Sequence, residues 1–366
     1  MLNVCWLTLS PAPYTIKLFN EISKKINLSV ILFDKVEKNR NSEWTIKNDC
    51  SFNLYIIDSN YHKRIKELAK ENDVLVDGYY LSIYGYMAVR EFKKNNKKTF
   101  IIADGGISKN RGKLVNGIMS YLMKRHDYCM SSSEITDRYF KYYGISENII
   151  YHYKFTSLTN EDIKQNVLLT KQKDELRKEL ELSDKFILLS VGQPIKRKGF
   201  DILLKVFYDS KLYEDINLYI IGGEPENNTK EFVMKNNLKN VHFVNILNSN
   251  ELKKYYAASD AFILCTREDI WGLVIEEAMS FGLPIITSNN CVAGLHFAQN
   301  SSNPIICDVN DINGYSKSLI ELYKNIVLRE TMSKEAIDNI FEFSIENSAN
   351  DIVDILTAKI VIKNNH

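Results

Sequence analysis

No stretch of the 366-residue chain approaches the roughly 20 consecutive apolar residues that span a bilayer, so no transmembrane helix is expected. Charge of one sign is not in excess either. The 47 Lys+Arg and 46 Asp+Glu leave +1, which argues against a general polyanion binder such as a nucleic-acid protein. No Cys-x-x-Cys pair occurs. Cys5, Cys50, Cys129, Cys265, Cys291 and Cys307 are scattered and read as reduced core thiols, not as disulfides or a zinc knuckle. No Gly-x-Gly-x-x-Gly turn follows an early strand, which disfavours a nicotinamide dehydrogenase. The start lacks a basic lead, its first cation being Lys17. Val4–Leu9 therefore reads as a buried first strand and not as a signal peptide, and the cytoplasm is the expected location. Tandem repeats and low-complexity segments are also missing.

What is present suits a globular α/β protein. The chain is 45% hydrophobic, enough for packed interiors, and longer than the about 250–300 residues at which single cores stop growing. Apolar runs at Val4–Leu9, Leu28–Phe33, Val74–Val76, Phe100–Ala103, Tyr128–Ser131 and Ile149–His152 alternate with helical patterns. The same alternation restarts at Phe186–Val191 and continues through Leu218–Ile221, Val241–Phe243, Ala261–Leu264, Pro284–Thr287 and Pro304–Cys307. Strands buried on both faces and separated by helices predict two parallel sheets. The polar stretch Thr170–Asp184 reads as the junction, giving domains at 1–170 and 171–345. Two such sheets are expected to bind ligands in a cleft at the carboxyl ends of their strands.

Charge is uneven along the chain. Residues 1–184 carry 29 Lys+Arg and 23 Asp+Glu, a net +6, and residues 185–366 carry 18 and 23, a net −5. Between Arg90 and Arg125, ten cations face only Glu91 and Asp104. Anionic membrane surfaces attract such clusters by about 1 kcal/mol per basic residue; a solvated basic face is the alternative. Leu114, Val115, Ile118, Met119, Leu122 and Met123 recur there at helical spacing, a stripe that reads as a side facing the core.

Three segments of the second half carry candidate chemistry. Gly192-Gln193-Pro194-Ile195-Lys196-Arg197-Lys198-Gly199 follows a strand and precedes a helix, and cations beside a helix N-terminus suit a phosphate. Gly222-Gly223-Glu224-Pro225 follows another strand, where paired glycines permit close backbone approach. The most specific is Thr266-Arg267-Glu268-Asp269-Ile270-Trp271-Gly272-Leu273-Val274-Ile275-Glu276-Glu277-Ala278-Met279. Main-chain amides near Gly272 and Leu273 suit an anion and the flanking carboxylates suit hydroxyls, a combination fit for a ligand with both phosphate and sugar.

These stretches, together with the Glu251–Asp260 helix, make residues 186–330 resemble the nucleotide-sugar half of the retaining glycosyltransferases of family four. These are the glycosyl transferases group 1 of GT-B architecture, here of the bacterial polysaccharide type. The resemblance implies two Rossmann-like domains facing a central cleft, with the tail (346–366) returning as a helix to the first domain. Asp269 and Glu277 stand where that family has its acid-x7-Glu pair, and Glu268 with Glu276 repeats the spacing in an adjacent register. In the first half, Ser10-Pro11-Ala12-Pro13-Tyr14 resembles the family's N-terminal loop. Asp104, in Ala103-Asp104-Gly105-Gly106, stands where many members carry a histidine.

The resemblance implies a sugar moved from a nucleoside-diphosphate donor, with uridine the expected base, to a glycan or lipid-linked acceptor. It places Arg197, Lys198, Gly272 and Leu273 on the diphosphate, Glu277 on the ribose and Ile246 and Leu247 on the base. Asp269 or Glu268 takes the donor-sugar hydroxyls, Gly223, Glu224, Ile270 and Trp271 line the rest of that cleft, and Asp104 has an acceptor-side or sugar-orienting role. Gln193 replaces an arginine common in the family. No metal or other cofactor is expected, since cations hold the leaving group. His126 and His152 read as structural. A sugar-nucleotide epimerase and a non-catalytic subunit binding glycan or a partner remain alternative readings.

Overall fold

The computed structural model describes residues 1–9, 12–33, 50–299 and 301–361. The chain divides into two compact units, residues 1–157 with 343–366, and residues 158–342.

In the first unit β1 (Asn3–Thr8), α1 (Pro13–Ser23), β2 (Asn27–Leu32), β3 (Asn53–Ile56), α2 (Tyr61–Glu71), β4 (Val74–Asp77) and α3 (Ile83–Lys94) come first. They are followed by β5 (Lys98–Ala103), α4 (Lys113–Met123), β6 (Tyr128–Ser131), α5 (Glu134–Tyr142) and β7 (Ile150–His152). The seven strands form one sheet in the order β3-β2-β1-β4-β5-β6-β7, every pair parallel. One core lies under α2 and α3, around Leu7, Ile31, Ile65, Leu75 and Phe92. A second, around Ile101, Met123, Cys129 and Phe140, lies under α4 and α5. Edge strand β3 escapes the periodicity reading because none of its four residues is fully buried.

The second unit contains α6 (Asn160–Thr170), α7 (Lys173–Glu179), β8 (Phe186–Val191), α8 (Phe200–Asp209), β9 (Ile216–Ile221), α9 (Asn227–Lys235), β10 (Val241–Val244) and α10 (Ser249–Ala258). It continues with β11 (Ala261–Leu264), α11 (Leu273–Ser280), β12 (Ile285–Ser288), α12 (Val292–Phe297), β13 (Ile305–Cys307), α13 (Ile312–Lys324) and α14 (Ile326–Ile340). Its strands run β10-β9-β8-β11-β12-β13, again all parallel. β4, β9, β11 and β12 are buried at every residue, the signature of strands covered on both faces.

The polar stretch at 170–184 is not a linker but part of the second unit. α6 starts on a capping box of Thr159 and Asp162. On α7, Lys173 and Arg177 reach the Asp260 carboxylate at 2.7 and 2.6 Å. Composition alone gave no sign that these cations share a partner 80-odd residues away. The tail, α15 (Ile345–Val361), rejoins the first unit and packs along α1. The chain reaches it by burying Ile345, Ile352 and Leu356 completely, while Lys154 pairs with Asp351 at 3.7 Å.

Ile352→Ala should cost the first unit about 2–5 kcal/mol, the usual range for emptying such a site. Urea unfolding monitored in both units would show it, and a loss below about 1 kcal/mol would mean that this helix contributes little to the core.

Candidate functional site

In the second unit strand order reverses between β8 and β11, which lie side by side. Loops leaving the carboxyl ends of neighbouring strands at such a reversal diverge and leave a crevice where ligands bind. The three segments singled out by the sequence all leave carboxyl ends of this sheet.

After β8 the chain passes Gly192 and makes a tight turn over Lys196–Lys198. Gly199 then takes φ 71, in the left-handed region, and a Cβ there would run into the Cys265 carbonyl. Glycine is what lets this loop lie directly on the loop that follows β11. Arg267 then holds the two loops together. Its amide donates to the Arg197 carbonyl at 2.8 Å. Its guanidinium donates to the Lys196 carbonyl at 2.7 Å and to both carboxylate oxygens of Asp201 at 2.7 Å. The Arg267 hydrogen bonds hold the Asp201 carboxyl below its ordinary range. Thr266 Oγ1 adds a bond to the Arg197 carbonyl at 3.0 Å.

This clamp delivers the Lys198 ammonium to the Asp269 carboxylate at 2.6 Å, with both side chains close to buried. Arg197 stands outside them. Its Nη1 donates to the Glu268 carbonyl at 2.8 Å and lies 3.6 Å from the second Asp269 oxygen. Asp269 is itself fixed by backbone hydrogen bonds, accepting from Val292 and donating to Asn290. One ammonium has three donors, so its bond to Asp269 leaves Lys198 capacity for a further acceptor.

α11 begins immediately beyond. Gly272 caps it at φ 105, where a Cβ would press on Cys291 Sγ at 2.7 Å. The first-turn amides of Leu273 and Val274 have no carbonyl one turn earlier within the helix, so they and the helix dipole favour an anion. Glu277 lies on this helix and accepts from the Tyr256 hydroxyl at 2.9 Å. Burial raises its carboxyl pKa, opposed by that hydrogen bond and by Lys198 and Lys253. Its neighbour Glu276 points the other way. It is wholly buried and accepts from the Trp271 indole at 3.0 Å. The fold thus brings Asp269 and Glu277 toward Lys198 and turns Glu276 into the core, while Glu268 stays half-buried.

The remaining candidates spread out. Trp271 offers only main chain to a ligand, since its side chain is buried, whereas Ile270 is exposed. Gly223 lies against Pro194 and Ile246, so the ends of β8, β9 and β10 adjoin there. Ile246 is exposed and Leu247 half-buried. Glu224 is exposed and pairs with Lys230 at 2.6 Å.

Asp104 belongs to the first unit, at the carboxyl end of β5, and accepts from the Tyr153 hydroxyl at 3.0 Å. Its side chain is exposed, yet the protein packed around it pushes its carboxyl up to about 6, against the lowering effect of that hydrogen bond. Of the N-terminal loop, Ser10 and Pro11 lie outside the described residues, and Tyr14 packs edge-on against Phe155. His126 and Asp77, both buried, are 3.3 Å apart, and His152 reaches Asp137 at 2.7 Å. Tyr256, Tyr153 and the Arg267–Asp201 clamp are site residues that sequence reasoning missed. Only the reach of the Tyr256 hydroxyl from α10 to Glu277 reveals the first, and none of the three falls in a recognisable spacing.

Residues 172–339 match the family described as Glycosyl transferases group 1. The match lies wholly within the second unit. An uncharacterized glycosyltransferase of Haemophilus influenzae is 37% identical over 153 residues, 41% of this chain and 42% of that one. The O-antigen biosynthesis glycosyltransferase WclY of Escherichia coli is 29% identical over 43% of this chain and 42% of its own length. The matched stretch thus spans less than half of these curated relatives. Over whole chains the fold is shared with Anabaena Alr3699/HepE in complex with UDP and glucose. The TM-score is 0.78 at 13% identity, covering 98% of this chain and 100% of that one. The architecture is GT-B, with two Rossmann-like units.

Burial disfavours the ionised form of Glu277, so Glu277→Gln removes a cost. That cost is absent in acid, where the carboxyl is protonated folded and unfolded, and is present once pH passes the ordinary carboxylate range. The variant should melt at or above the parent at neutral pH, with the gap closing near about pH 4. A clearly lower melting temperature at neutral pH would make this carboxylate a structural anchor instead.

Proposed function

We propose that the protein moves a sugar from a nucleoside-diphosphate donor, UDP-linked in the first instance, to a hydroxyl of a glycan or lipid-linked acceptor, with retention at the anomeric carbon. The observation that carries this reading is the convergence of Lys198, Asp269 and Glu277 at the start of α11. In the transfer, the bond between the anomeric carbon and the diphosphate oxygen breaks and its electron pair leaves with the diphosphate. A new bond forms to the acceptor oxygen, which gives up its proton. Negative charge grows on the departing diphosphate, and fixed donors aimed at it lower the barrier.

Lys198, Arg197 and the amides of Gly272 and Leu273 supply those donors, a set of charges that calls for no metal. Glu277 accepts from the ribose hydroxyls, and the Tyr256 bond fixes its rotamer. Asp269 orients the donor sugar, held in place by its own bond to Lys198. Backbone at Ile246 and Leu247 faces the base. The first unit takes the acceptor, where Asp104 has the acceptor-side or sugar-orienting role. A neighbour of the same fold in complex with UDP and glucose and a matched relative in O-antigen biosynthesis support uridine and a surface-glycan acceptor.

Calorimetry with a panel of sugar nucleotides, followed by transfer assays in EDTA, tests the proposal. The parent should bind one UDP-sugar. Lys198→Ala should lose transfer and remain folded, with Arg197 left to neutralise Asp269. Glu277→Gln should weaken UDP by roughly 1.5–3 kcal/mol, the scale of a lost charged hydrogen bond. No heat with any sugar nucleotide, or full turnover in Lys198→Ala, would sink the reading.

The Asp104 role predicts a pH effect. Transfer should fall as pH drops through about 6, where this carboxyl takes up its proton. Removing the Tyr153 hydroxyl removes a bond that favours the ionised form, so Tyr153→Phe should move the limb to higher pH. A limb unmoved by this change, and retained in Asp104→Asn, would assign it to another group.

A further inference from the structure

The helix α4 packs on the core through Met119 and Met123 and leaves a second apolar arc outside. Its polar residues also bond to the protein: Ser120 Oγ donates to the Tyr143 carbonyl at 2.6 Å, and Asn116 Nδ2 donates to the Tyr142 hydroxyl at 3.3 Å. Met123 is the one residue of this helix that is wholly buried. The second arc faces outward, with Leu114 78%, Ile118 53% and Tyr121 55% exposed, one above another at i, i+4 and i+7, and Val115 44% exposed on their flank. Sequence periodicity reads the whole stripe as core-facing, and the structure divides it: Met119 and Met123 pack on the core, whereas Leu114, Val115 and Ile118 face outward.

The patch continues onto α3. The Arg125 guanidinium lies over the rings of Tyr86 and Tyr121, 4.6 and 5.4 Å from their centroids, and Ile83 is 64% exposed at the start of that helix. The cations nearby divide into two groups. Lys93, Lys94, Lys97 and Lys98 each lie within ion-pair distance of a carboxylate. Among the described residues no ion pair is made by Arg90, Arg111, Lys113, Lys124 or Arg125, and four of these five bracket α4 in sequence. An exposed apolar stripe with unneutralised cations at both ends is the chemistry of a helix that lies in the plane of an anionic bilayer. Its apolar side chains enter the acyl boundary and its cations sit at headgroup level.

We propose that α4, with the Ile83 end of α3, docks the first unit on an anionic lipid surface. A second copy of the chain is the poorer occupant, because pairing this face with itself brings like charges together. The inference goes beyond the transfer reaction and does not depend on it.

Flotation of the full chain with vesicles tests it without any donor present. The parent should float with phosphatidylcholine vesicles containing phosphatidylglycerol, not with phosphatidylcholine alone, and raised salt should release it. Ile118→Glu and Leu114→Glu should each cut bound protein tenfold or more, as should Arg111→Glu with Lys113→Glu. Melting temperature and sugar-nucleotide binding should be unchanged, since these side chains are exposed and lie in the first unit. Three results would overturn the proposal: no flotation with either vesicle, anionic binding indifferent to Ile118→Glu, or sedimentation showing a dimer that Ile118→Glu dissolves while vesicles go unbound.

Discussion

The ion pair between Lys198 and Asp269 is the contact on which the second unit's functional edge depends. It joins the loops that leave β8 and β11, two adjacent strands whose following chains run apart. Neither charge is comfortable alone so close to burial, and each makes the other's position affordable. Everything around them holds that geometry. Gly199 lets the loops touch, the Arg267 fork on Asp201 clamps them outside, and backbone bonds to Asn290 and Val292 stiffen the Asp269 turn. The start of α11 then stands next to an ammonium with spare donors, so helix dipole and cation favour a negative ligand at one place.

A second constraint is rotational. Adjacent helix residues differ by about 100° in direction, so Glu276 and Glu277 cannot both serve the same space. Glu276 goes to the Trp271 indole in the core, and Glu277 goes to the Tyr256 hydroxyl on the Lys198 side. The same arithmetic governs α4 with the opposite outcome. Its polar residues find acceptors on the neighbouring α5 and the chain just after it, and one apolar arc is left outside.

Much of this was legible in the residues. Alternating apolar runs and helical periods give two parallel sheets because strands covered on both faces must be apolar throughout. The cation loop, the glycine pair and the acid string announce a phosphate-and-sugar site because few other ligands ask for those groups together. Other features were not legible. The polar stretch around α7 read as a linker, since its charges find Asp260 only in the folded unit. The two acid registers had the same spacing, and one stripe of leucine, valine and isoleucine looked like any other.

Sequence alone therefore determined most of the elements, the fold class and the cations and acids at the site. These depend on local period and residue type, which the chain carries at every position. Tertiary structure decided which acid of each adjacent pair meets Lys198, which tyrosines back the carboxylates, and which side of α4 meets solvent. Each of those depends on a partner distant in the chain, and direction is a property of packing that no spacing encodes.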